Sequence, residues 1–172
     1  MRKFVIITSL LLSACSTSFS ERVPCPSTAI LAEFSKAIDL TQAEPIRFEM
    51  DSLTPLCTRE DKIKRVEIRL RITSIRPLKQ YHNPATLERS YFVAVVDKAE
   101  NVLSRSDHTV QVKFEEKQTT KVCYQELIET IPEGKDVTIY VGFNLDEAER
   151  AHLQAERELH LSPCGRGRPK GG

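Results

Sequence analysis

The chain has no tryptophan and only six glycines among its 172 residues. The glycines stand singly, at Gly134 and Gly142, or near the C-terminus, so no glycine-rich loop is available to cradle a phosphate with backbone amides. A G-x-S-x-G elbow is absent too, and with it the usual local signature of a serine nucleophile. Charge of either sign is not in excess: the formal net charge is +1. That balance gives no basic stripe to neutralise phosphates, and we expect no nucleic-acid partner. Neither C-x-x-C nor C-x-x-H occurs, which removes the common ligand spacing of structural zinc, so no metal and no cofactor are expected. No apolar run reaches the roughly 20 residues that a membrane-crossing helix needs.

Residues 1–15 carry what the rest of the chain depends on. Arg2 and Lys3 precede the mostly apolar residues 4–12, and Leu12-Ser13-Ala14-Cys15 sets small residues before a cysteine. The layout is that of a secretory signal peptide over residues 1–14. Its last four residues resemble the lipobox of bacterial lipoproteins, in which the cysteine sulfur is diacylated and the chain is cut just before it. Cys15 is then the expected lipidation site, and two or more acyl chains make membrane residence stable where one does not. Residues 15–22 read as the lipidated cysteine and a polar tether that reaches about 25 Å when extended.

Four cysteines remain, Cys25, Cys57, Cys123 and Cys164. An even number in an exported chain reads as disulfides with three possible connectivities; Cys25 with Cys57 and Cys123 with Cys164 keeps both bridges local.

Strands dominate the pattern from residue 23 to 145. After Cys25-Pro26, a weakly periodic stretch reads as a short strand and a turn. Ile46, Phe48 and Met50 alternate with charged residues in a half-buried strand, and Pro55 and Cys57 are expected to close a loop. Val66, Ile68, Leu70 and Ile72 alternate with Glu67, Arg69, Arg71 and Thr73 without a slip, which describes a sheet with one wet face. Arg69 and Arg71 could form an anionic docking strip, though solvated charge is the commoner fate of such a face. Residues 78–89 read as a long connection with Tyr81 and His82 as its notable side chains, either a recognition tip or packing over a sheet edge. Residues 91–96 form an apolar run suited to a strand buried on both faces, and residues 97–101 a hairpin turn. Further strands are expected at 110–115, 121–131 and 137–143, with a turn at 132–136 between the last two.

About seven short strands predict an all-β fold, an antiparallel sandwich of immunoglobulin or fibronectin type, with a small barrel as the alternative. The missing tryptophan argues against a true immunoglobulin domain. Residues 146–172 read as a helix capped by Asp146 and a flexible tail; the thin apolar face predicts a helix lying loosely on the domain. His152, Glu156 and His160 would line that helix, but positions i, i+4 and i+8 span about 12 Å, too far for one ion. His82, His108, His152 and His160 show no visible pairing with a nucleophile or carboxylate.

Cys25-Pro26, Cys57, the run from Ser90 through Asp97 and the run from Tyr140 through Asp146 together resemble a group of alphaproteobacterial envelope lipoproteins. The resemblance implies no activity, and it does not extend to Cys123 and Cys164. General lipoprotein sorting implies outer-membrane residence, on the periplasmic face, because Ser16 and not an aspartate follows Cys15. The expected role is non-enzymatic, binding or bracing an envelope protein or polymer through a sheet edge. The competing expectation is a ligand carrier or enzyme with a pocket near Tyr81 and His82.

Overall fold

The computed structural model describes residues 21–41, 44–80 and 84–161. Two sheets face each other. The first joins β1 (Glu21–Arg22), β3 (Lys36–Asp39), β4 (Ile46–Glu60), β5 (Ile63–Ile75) and β8 (Thr120–Pro132), in the order β1-β4-β5-β8 with β3 also on β4. The second is β2-β9-β6-β7, from Ser27–Ile30, Val137–Phe143, Ala85–Asp97 and Val102–Phe114. Among the described residues the sheets do not join into a closed barrel, so the sandwich is the architecture and the barrel alternative falls.

The core follows from the period of two. Val66, Ile68, Leu70 and Ile72 of β5 are all 1% exposed or less, and they meet Tyr91 and Val93 of β6, Val110 and Val112 of β7, and Ile139 and Val141 of β9. Phe48 and Phe143 touch edge to face across the two sheets, with centroids 6.4 Å apart. Residues 91–95 are buried on both faces, as expected. The outward side of that run is covered because Phe34, in a 3-10 turn over Ala32–Phe34, stacks edge-on against Phe92. Gly142 makes that cover possible: a Cβ there would lie 2.6 Å from the Phe34 Cβ.

Four local expectations need correction. Pro55 and Cys57 do not close a loop; both lie inside β4. The β3 and β1 pairings on β4 stop at Glu49 and resume at Thr58, so Pro55 falls where β4 is locally an edge and a missing N–H costs little. The connection after β5 is shorter than expected, because β6 begins at Ala85. Residues 102–114 are one strand. The sandwich is not wholly antiparallel either, since β2 runs parallel to β9.

The terminal helix α1 (Glu147–Leu161) is a docked strap and does not lie loosely. Asp146 caps it as expected, its carboxylate accepting from the Glu149 amide at 2.8 Å while Glu149 returns a bond to the Asp146 amide at 3.0 Å, a reciprocal capping box. Glu149 is 5% exposed and is held by Arg89 of β6; Leu153 is 7% exposed; Glu156 pairs with Arg47 of β4. The helix thus links both sheets. The flexible-tail expectation for residues 162–172 lies outside the described residues.

Candidate functional site: the open side of the sandwich

On one side of the molecule β7 and β8 are the free edges of their sheets, joined only by the turn at residues 115–119. Arg76, 2% exposed, plugs that end: its guanidinium lies over the Phe114 ring at 4.9 Å and donates to the Glu115 carbonyl at 2.6 Å.

Between the two edges the inward positions turn polar. β7 contributes Ser104, Ser106 and His108, and β8 contributes Lys121, Gln125 and Glu129. Ser106 Oγ lies 2.9 Å from His108 Nε2, and His108 stacks on Tyr91 with ring centroids 5.3 Å apart. Burial pushes the Tyr91 phenol up to about 12. The Ser106 hydroxyl and His108 both act on the Glu129 carboxylate across the gap between the two edges, so serine, histidine and glutamate form one polar cluster. Ser106 and His108 come from β7 and Glu129 from β8, so the cluster is a polar link between the two sheets. His108 is therefore paired, which its sequence neighbourhood did not reveal. The signal lay in strand parity, which puts residues 106 and 108 on the inward face.

Burial pushes the Glu129 carboxyl up, opposed by His108 and by the Ser106 hydroxyl. A raised carboxyl is costless while protonated and becomes costly as pH rises through its folded pKa. Glu129→Gln should therefore be more stable than the parent at about pH 7 in dilute solution, and match it below the ordinary glutamate value of about 4. Urea midpoints at the two pH values check this.

The outer face of the first sheet differs. Along β8, Val122 (40% exposed), Tyr124 (59%) and Ile128 (55%) point to solvent. The neighbouring outward positions of β5 carry Arg71 opposite Tyr124 and Arg69 opposite Glu126. Arg69 is bound to Glu126 at 3.0 Å and Arg71 to Asp51 at 3.3 Å, so both arginines are engaged within the face and offer no bare anion strip. A groove of about 580 Å³ runs across this face between Leu56, Arg65, Arg69 and Ile128.

The other expected site residues are placed as follows. Cys25 and Cys57 form a disulfide. Cys123 is half-buried on β8 and has no disulfide partner among the described residues; burial pushes its thiol up. Cys15, Cys164, Tyr81 and His82 lie outside the described residues. His152 sits 3.4 Å from Glu156, whose carboxylate Arg47 also holds, and among the described residues no three His, Cys, Asp or Glu side chains are set to share a metal ion. No protein-family model, curated protein or solved structure matches this chain.

Proposed function

We propose that the chain is a non-enzymatic, lipid-anchored module of a bacterial cell envelope, held through Cys15 at the periplasmic face of the outer membrane, whose sandwich binds another envelope component along β8. The observation that supports it best is β8 itself. It runs 13 residues, pairs with β5 without a single register shift, and has no partner on its other side among the described residues. Natural edges are normally kept short, bulged or charged. β1, β2 and β3 are two to four residues long, and β7 meets β6 through a bulge near Val96. β8 is neither short nor bulged, and beside its charges Glu126, Lys121 and Glu129 it shows the apolar Val122, Tyr124 and Ile128 to solvent, a form suited to receiving a strand by β-augmentation from a partner that answers those charges.

Two measurements test this. Labelled palmitate should enter the chain and disappear with Cys15→Ser, which should also leave the membrane fraction; retention there by Cys15→Ser would overturn the anchor. A photo-crosslinker in place of Tyr124 should give a discrete membrane adduct where one in place of Lys113, on the outward side of β7, gives none. Equal or absent adducts at both sites would overturn the docking edge.

A further inference from the structure

Resting on the reading of β8 as a docking edge, we infer that the strand it receives is the β8 of a second copy, antiparallel and two-fold symmetric about Gln125. Side-chain parity restricts the choice first. Positions 121, 123, 125, 127 and 129 face inward and 122, 124, 126 and 128 outward. A register slipped by one residue would set every inward side chain against an outward one, so the two-fold must pass through a residue.

Gln125 is the one centre that sets Lys121 against Glu129. About Gln125, Lys121 meets the second copy's Glu129, Val122 meets Ile128, Cys123 meets Leu127, Tyr124 lies beside Glu126, and each end closes threonine on threonine at 120 and 130. About Tyr124, Lys121 would face Leu127 and Val122 would face Glu126. About Glu126, that carboxylate would face itself and Lys121 would face Ile131. Opposite charges directly across an antiparallel pair attract, and like charges repel.

These two charges of β8 have no salt bridge within the chain among the described residues, Glu129 meeting only His108 and Ser106 of β7. Lys121 and Glu129 are half-buried and inward. An inward lysine on an edge rejects any strand that lacks a carboxylate opposite it, which makes the edge selective. In the dimer the two copies of the first sheet become one continuous sheet, with its two-fold perpendicular to the strands.

The test uses the full chain in native membranes. Directly opposed residues of an antiparallel pair have Cα atoms about 4.5–5.5 Å apart, within disulfide reach. Gln125→Cys on a Cys123→Ser background should therefore give a covalent dimer under mild oxidation, where Lys113→Cys on the same background gives none. Lys121→Glu and Glu129→Lys alone should each associate about tenfold more weakly or worse, because like charges then meet twice. Mixed together, the two single variants should pair with each other, since every charge again meets its opposite; the double variant should also recover. Failure of both the mixture and the Gln125→Cys crosslink would overturn the second copy as occupant. If Tyr124 then crosslinks to a different protein, the docking edge stands and only its occupant was wrong; no adduct of either kind overturns both.

Discussion

Arg89→Met should lower the unfolding free energy by about 3–5 kcal/mol, the range for stripping one partner from a buried ion pair. Arg89 and Glu149 have side chains 13% and 7% exposed. The guanidinium binds both carboxylate oxygens, one at 2.7 Å, and also donates to the Asn144 carbonyl at 2.6 Å. Methionine fills much of the volume but leaves Glu149 as an uncompensated anion at the start of α1. For a domain of this size the loss corresponds to a fall of about 10 °C in Tm. Arg89→Met with Glu149→Leu should recover much of it, short of the capping-box bond worth about 1 kcal/mol, because two apolar groups need no compensation. A thermal melt of the single and double variants checks both parts. Equal melting of Arg89→Met and the parent would mean that α1 is not held through this pair.

The same pair marks where sequence reading ended. The helix and its Asp146 cap were legible from spacing, but its docking was not, because it is held by Glu149, Leu153 and Glu156 and not by an apolar stripe. A lone buried glutamate looks like surface charge until Arg89, sixty residues earlier, is seen across from it. β5 was legible because its inward positions from Val66 to Ile72 are all aliphatic. β7 was not, because its inward side chains change from Val110 and Val112 to His108, Ser106 and Ser104 where the sandwich opens, and polarity there hides the period of two. Pro55 misled for a related reason: proline breaks an interior strand, and only the gap between the β3 and β1 pairings makes that place an edge. Arg69 and Arg71 were found beside β8, yet the docking edge itself needed the strand order. Nothing in residues 120–132 says that a neighbour is missing on one side.

Cys25→Ala with Cys57→Ala should cost about 4 kcal/mol, the chain-entropy value for a closed loop of this length, since the two cysteines lie 32 residues apart. Adding reductant to the parent should produce the same shift in urea midpoint. Cys57 is inward on β4 in the first sheet, while Cys25 stands two residues before β2 in the second, so the bond staples the sheets on the side away from β7 and β8. β2 otherwise rests on a four-residue parallel ladder to β9. Short parallel pairing is the weaker kind, so the loss should show first in β2: amide exchange at Thr28 and Ala29 should speed up more than at Leu70 and Ile72 in β5, which keep ladders on both sides. Cys123→Ser should leave the reductant effect untouched, which separates this bond from any involving Cys164. If reductant moves neither the midpoint nor β2 exchange, the sheets are held without the bond, and the closure of this side belongs to the β2–β9 ladder and the core alone.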